Sequence, residues 1–234
     1  MCGRYTNTMT WSEMVALYDI HNIDFRPNFE ARYNIAPTQS VPVVRREENG
    51  NRELAMMRWG LIPSWAKDAA LGAKMINARS ETVAEKPSFR SAFKNRRCLI
   101  PADGFYEWRT EDGRKQPFRI GMKGGAPFAF AGLWERWTAK AASRGIEEGQ
   151  EVETFTIITT EANDRLRPIH HRMPVILPPE DHARWLDPAN DSDNLLALLR
   201  PYPADPMAFY RVSTAVNNVR NDTPSCTEPL STAG

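Results

Sequence analysis

From Cys98 to Thr160 the chain alternates short apolar segments with turn residues, and that rhythm is what most restricts its fold. Cys98 to Ala102, Gly104 to Arg109, Gln116 to Met122 and Phe128 to Trp134 read as short strands, with Glu111-Asp112-Gly113 as the turn between two of them. Val152 to Thr160, rich in Val, Ile, Thr and Phe, reads as a further strand. Upstream, Val41 to Arg46 and Glu53 to Trp59 flank Glu47 to Arg52, where Asn49-Gly50 suits a hairpin turn. Pro174 to Leu177 and Ala208 to Val216 add two more strands. The 18 prolines favour extended segments stopped by turns.

Helical signals are short and scattered among these strands. Thr10 with Glu13 forms a capping box ahead of Trp11, Met14, Val15 and Tyr18 on one face. Phe89, Ala92 and Phe93 follow Pro87. Further helices are expected at Ala162 to Leu166, after Pro179 with Glu180 and Asp181 in the first turn, and around Leu195 to Leu199, with a loop at Asp187 to Asp193. Asp24 to Pro37 and Ala139 to Gln150 read as polar loops. The pattern predicts an α+β chain: one domain with a curled, mainly antiparallel, barrel-like β core and peripheral short helices. The domain is expected over residues 1–223. Residues 224–234 read as a disordered tail carrying an exposed Cys226.

Lys+Arg 30 against Asp+Glu 29 leaves a net charge of +1, so bulk charge points to no polyanion, although a local patch can still do so. Three cysteines, Cys2, Cys98 and Cys226, without close pairs argue against a disulfide scaffold and give no zinc spacing. The start lacks a charged region followed by an apolar stretch, and no run approaches a membrane span, so the expected location is the cytoplasm or, in a nucleated cell, the nucleus. There is no phosphate-binding glycine loop, Ser-His-Asp order or dinucleotide fingerprint. No cofactor or metal is expected.

The chemistry begins at Cys2. Once Met1 is removed, this residue carries both a free α-amine and a thiol, groups that titrate near ~7.8 and ~8.5 when unperturbed. An amine condenses with an aldehyde to a Schiff base, and a thiol two carbons away can close on the imine carbon to give a thiazolidine. Glu107, set between aromatics on a strand, is either turned to solvent or held in a partly desolvated site where it can carry a proton. One of His170 and His171 could act as acid or base, with Arg172 available for a phosphate; ordinary structural hydrogen bonding is the alternative for both histidines. Asn77, Arg79 and Glu81 alternate on one side of an extended segment from Lys74 to Thr82, either a solvent face or one wall of a site. Asn217, Asn218 and Arg220 suit phosphate or base-edge contacts. Trp59 and Trp65 either fill core or face a ligand.

Several segments together resemble a known family. Met1-Cys2-Gly3-Arg4-Tyr5, Arg32-Tyr33-Asn34-Ile35-Ala36-Pro37, Arg58-Trp59-Gly60-Leu61-Ile62-Pro63, Ile76-Asn77-Ala78-Arg79-Ser80-Glu81-Thr82, Pro101-Ala102-Asp103-Gly104-Phe105-Tyr106-Glu107-Trp108, Ile169-His170-His171-Arg172-Met173-Pro174 and Val216-Asn217-Asn218 are similar to motifs of the SOS-response-associated peptidases, the abasic-site processing proteins. The resemblance runs from Met1 to about Asn221. It implies a barrel-like β core with a positively charged cleft, and a sensor of abasic sites in single-stranded DNA whose mature N-terminal cysteine becomes a thiazolidine crosslink. By that resemblance Cys2 is the crosslinking residue, Asn77 positions it, and Glu107 and His170 complete the site. Arg4, Arg79 and Asn34 would line the DNA groove, with Trp59 or Trp65 stacking beside the lesion and Arg172, Asn217 and Asn218 as further contacts. The implied partner is single-stranded DNA, with replication machinery as a second candidate; no membrane is implied, and a monomer is expected. Two other classes remain open: a cysteine hydrolase using Cys2 on peptides, and a single-stranded DNA binding module without covalent chemistry.

Overall fold

The computed structural model describes residues 2–24, 30–142 and 145–230. Met1, the part of the Asp24 to Pro37 segment at 25–29, residues 143–144 of the polar excursion and the end of the tail at 231–234 lie outside the described residues. In chain order the strands are β1 Tyr5–Asn7, β2 Arg32–Ile35, β3 Ser40–Arg46, β4 Arg52–Trp59, β5 Asn77–Arg79, β6 Arg97–Ala102, β7 Gly104–Glu111, β8 Arg114–Met122, β9 Phe128–Thr138, β10 Glu151–Glu161, β11 Arg172–Pro174, β12 Ile176–Leu177 and β13 Met207–Arg211. The helices are α1 Trp11–Tyr18, α2 Arg90–Asn95, α3 Pro179–Leu186 and α4 Ser192–Leu196.

Five strands close a ring. β3 pairs with β4 and β6, β6 with β9, β9 with β10, and β10 returns to β4 in parallel, with Phe155 opposite Trp59. Every other contact in the ring is antiparallel. A second sheet, in the order β13-β8-β7-β1-β2, packs against it. Side-chain alternation on the ring strands serves two masters. Cys98, Ile100, Phe130, Phe155 and Ile157 join Tyr5, Phe105, Phe118 and Ile120 of the second sheet in one buried cluster, which also holds Cys2. The alternate set, Leu99, Ala131, Leu133 and Ile158, is covered by Tyr18, Phe93, Trp185 and Leu195 of the four helices. Gly132 is required where this packing is tightest: a Cβ there would stand 2.1 Å from Ile100 Cδ1 and 2.9 Å from the Thr156 carbonyl.

The capping box at α1 forms in both directions, with Thr10 and Glu13 each bonded to the other's backbone. Several expectations shift. The polar loop around Arg32 is strand β2, and Tyr5–Asn7 is a strand that no local pattern announced. The segment at 74–82 is extended only over β5, because a 3-10 turn occupies Ala69–Lys74. Ala162 to Leu166 forms turns rather than a helix. Leu195 to Leu199 gives way to α4, which starts earlier because Asp191 caps it. The strand expected from Ala208 to Val216 ends at Arg211, and Thr214–Asn217 is a 3-10 turn. Cys226 is fully buried rather than exposed: the segment after Pro224 turns back over β13, bridging Val212 to Pro229 and donating the Leu230 N–H to the Arg211 carbonyl.

Among the described residues no helix is long and apolar enough to cross a membrane.

Candidate functional site

β10 organises the site by outlasting the ring. Its first half pairs with β9 and β4, whereas its last residues pair with β5 on one side, Thr159 opposite Arg79, and with β11 on the other, Glu161 opposite Arg172. The segments carrying Asn77 and His170 are thereby fixed to one strand end. Arg172 locks the two together, bonding both oxygens of Glu81 and donating to the Thr159 carbonyl at 2.7 Å.

Cys2 reaches this end from the second sheet. β1 lies between β2 and β7, with Tyr5 opposite both Ile35 and Phe105, and the Tyr106 N–H donates to the Arg4 carbonyl at 2.9 Å. A strand of three residues needs more than its ladder bonds. At its far end the buried Asp103 carboxylate takes bonds from Thr6 Oγ1, the Thr8 N–H, Thr8 Oγ1 and Arg119 Nη2. At its near end Arg4 Nη1 donates to Asn34 Oδ1 and to the Val216 carbonyl, each at 2.7 Å.

Glu107 shares the Phe105 face of β7, and on that face it is 5% exposed. Burial pushes its carboxyl up to about 7, so it exchanges a proton near neutrality. The Cys2 thiol is fully buried, and burial together with the Glu107 charge pushes its proton affinity well up. It is therefore held as S–H. His170 Nδ1 lies 4.0 Å from Glu107 Oε1. The same nitrogen is 3.0 Å from the Arg172 N–H and 3.1 Å from the Arg172 carbonyl, so it can accept from one when neutral and donate to the other when protonated. Partial burial lowers His170's proton affinity. Burial raises the carboxyl and lowers the imidazole, which leaves two proton-carrying groups with reversed affinities 4.0 Å apart.

The remaining sequence-predicted residues divide sharply. Asn77 donates to the Ile76 carbonyl at 2.8 Å, and its buried Oδ1 has no partner among the described residues. Arg79, Asn217 and Asn218 are exposed, and Asn217 Oδ1 accepts from Trp108 Nε1. Trp65 is 55% exposed. Three others turn inward, contrary to their reading as groove contacts. Trp59 is fully buried, packed edge-on against Tyr5 at 5.3 Å and donating from Nε1 to the Ile76 carbonyl, so its ring has no open face. Asn34 is buried, its amide gathering the carbonyls of Val216, Asn218 and Asn221. Arg172 is spent on Glu81 and Thr159. Sequence reasoning gave no role to Asp103 or to Asp222, which accepts from Arg32 and from the N–H groups of Tyr33 and Asn34. Their partners lie too far along the chain for spacing to reveal them.

Among the described residues no group of three or more His, Cys, Asp or Glu is arranged to hold a metal ion.

Fold and site define a class: an α+β barrel protein with a cysteine at residue 2 buried near a carboxyl and an imidazole that lie 4.0 Å apart. The chain belongs to the SOS response associated peptidase (SRAP) family, which matches residues 1–219. It is 45% identical over 230 residues to the abasic site processing protein YoqW of Bacillus subtilis (strain 168), covering 97% of this chain and 99% of that one. To the abasic site processing protein HMCES of Gallus gallus it is 35% identical, over 88% of this chain and 67% of the relative. A crystal structure of a Bacteroides thetaiotaomicron protein superposes with a TM-score of 0.86 at 28% identity, covering 98% of this chain and 100% of that one.

Proposed function

We propose that the protein captures abasic sites in single-stranded DNA through the α-amine and thiol of Cys2, exposed by removal of Met1, and holds them as a thiazolidine. The observation that carries this reading is the gathering of Cys2, Glu107 and His170 at one strand end, with Glu107 charge acting on the thiol and His170 within 4.0 Å of Glu107. The relatives named as abasic site processing proteins supply the substrate.

The order of bond formation follows from the site's electrostatics. Because burial keeps the thiol protonated, the amine attacks C1′ of the ring-opened sugar first. The carbonyl oxygen leaves as water, with Glu107 taking a proton from nitrogen and His170 donating toward the sugar oxygen as the ring opens. The S–H then adds across the C=N bond, sulfur to C1′ and the proton to nitrogen. The imine that would otherwise feed β-elimination is consumed. Arg4, Arg79, Asn217 and Asn218 supply polar and charged groups for the strand, and Trp65 a face for a base, so encounter is salt-dependent and nearly blind to sequence.

Met1 removal by the protein itself, with Cys2 attacking the preceding carbonyl and water releasing methionine, is compatible with the same three groups. Cytoplasmic action as a monomer on replicating DNA is part of this reading.

Intact mass after incubation with an abasic oligonucleotide is the test. Wild type should gain the oligonucleotide in a reduction-resistant adduct and Cys2→Ala should not. A cleaved peptide with turnover favours the hydrolase reading, and an equally stable adduct in the Cys2→Ala protein rules the mechanism out.

A further inference from the structure

His170 is fixed through its ring and through its backbone, and different residues hold the two. Arg172 holds the ring, with its N–H 3.0 Å from Nδ1. The backbone is held by two successive turns over residues 163–170. The Leu166 carbonyl takes the His170 N–H at 3.0 Å and the Ile169 N–H at 2.8 Å, and the Asn163 carbonyl takes those of Leu166 and Arg167 at 3.1 and 3.0 Å. Pro168, without an N–H, stops this ladder short of a regular helix. Leu166 and Ile169 pin the turns into the buried cluster that also holds Cys2.

Both turns hang from Asn163. Its side-chain Oδ1 accepts from the Leu166 N–H at 3.0 Å. Its Nδ2 donates to the Tyr202 carbonyl at 2.7 Å and to Met207 Sδ at 3.3 Å, and its own N–H points to Met173 Sδ at 3.4 Å. One residue thereby ties the His170 turn to β11, through Met173, and to the start of β13, through Met207. A primary amide suits this place because one planar group supplies an acceptor and two donors; a carboxylate would set an acceptor against the Tyr202 carbonyl.

We propose that Asn163 is a positioning residue for His170, acting through Leu166 to keep the imidazole 4.0 Å from the Glu107 carboxyl, with no contact to the reacting carbon. The inference rests on the abasic-site reading, in which His170 donates toward the sugar oxygen as the ring opens. Glu107 and Cys2 are placed by other means: the β7–β8 ladder, the Arg4 anchor and the Asp103 clamp take no bond from Asn163. Slackening the turn therefore displaces the proton donor and leaves the amine, the thiol and their acid where they were. A misplacement of about 1 Å is enough to cost up to about 10²-fold in rate.

A two-residue cycle decides it, with wild type, Asn163→Ala, His170→Ala and the double variant each measured on the closed natural sugar and on a pre-opened aldehyde analogue. Asn163→Ala should slow capture of the closed sugar about 10- to 100-fold and leave the aldehyde rate at that of wild type. In the His170→Ala background the same change should add nothing, because a donor already absent cannot be misplaced. An asparagine that only closes a turn lowers the melting temperature and gives neither result. Equal slowing on both substrates, or losses that multiply in the double variant, overturns the proposal. If Asn163→Ala fails to melt cooperatively, Asn163→Asp, which keeps the acceptor for Leu166 and loses the donors to Tyr202 and Met207, carries the same cycle. No adduct from wild type on either substrate sinks the parent reading and this one together; an adduct whose rate ignores Asn163 sinks only this one.

Discussion

The two rims of the barrel carry similar residues to opposite ends. At the rim where β10 begins, Arg45, Arg46, Arg96 and Arg136 line a cleft of about 690 Å³, roomier than the cleft of about 340 Å³ beside His171. Yet its arginines are answered: Arg45 by Glu53 and Glu153, Arg46 by Asp187, Arg96 by Glu135, Arg136 by Glu153, and Arg97, also in the lining, by the carbonyls of Phe93, Lys94, Trp185 and Asp187. At the rim where β10 ends, an acid is buried with its proton affinity raised, an imidazole stands 4.0 Å away, and a fully buried thiol feels the charge of the acid. Cleft volume and arginine count therefore point away from the proposed site. What distinguishes the end carrying the proposed site is groups held away from their ordinary ionisation by burial.

The sharpest way to break that contrast is to remove the buried acid. Glu107→Ala should slow capture by about 10²- to 10⁴-fold on both the closed natural sugar and a pre-opened aldehyde analogue, because the amine must lose a proton in each case. His170→Ala should slow the closed sugar far more than the aldehyde. Crosslinking rates of both variants on both substrates give the answer; equal impairment of His170→Ala on the two substrates removes its ring-opening role.

The same burial has a price in stability whose sign can be worked out. Glu107 keeps its proton to about pH 7 in the folded chain, against an ordinary value of 4.5. Between those values the folded state binds more protons than the unfolded one, so stability falls as pH rises and the loss is complete above about pH 7. The shift is worth on the order of 3 kcal/mol. Glu107→Gln should therefore be more stable than wild type at pH 8 by up to about that amount and nearly equal to it at pH 4, as urea midpoints will show. A stability gap independent of pH contradicts the buried-acid account.

How much of this was readable beforehand depended on the range of the interaction. The β3–β4 hairpin closes from Arg46 opposite Arg52 and the α1 capping box joins Thr10 to Glu13, residues close along the chain, and their patterns predicted them. β1 and β2 did not show, since Tyr5 finds Ile35 and Phe105 across long loops, and Asn34 looks like a loop residue until three carbonyls some 180 positions on satisfy its amide. Cys2, Glu107 and His170 were legible as motifs. Trp59 and Arg172, equally prominent in motifs, turned out to support the site from within, a distinction that only burial draws.

Asp103 tests that supporting layer. Asp103→Asn keeps the shape but removes the charge that gathers Thr6, Thr8 and Arg119, leaving donors without acceptors at a cost of about 1 to 3 kcal/mol. Because the clamp holds β1, the capture rate should fall as well. Thermal melting and rate measured together check this, and destabilisation with a wild-type rate shows that the near-end anchor of Arg4 on Asn34 suffices alone.

The smallest effect belongs to the far rim, and it tests the contrast from the other side. Arg136 is half exposed and bonds Glu153 at 2.8 Å, but Glu153 keeps Arg45 at 2.7 Å when Arg136 is removed. No carboxylate is left buried without a cation, so the usual penalty for breaking a buried pair does not apply. Arg136→Ala should cost no more than about 1 kcal/mol, less as salt rises, and leave the capture rate unchanged. Urea unfolding at two salt concentrations and a crosslinking time course measure both. A 10-fold slower capture at unchanged stability means that the far cleft takes part in holding DNA, and the division of labour between the rims then falls.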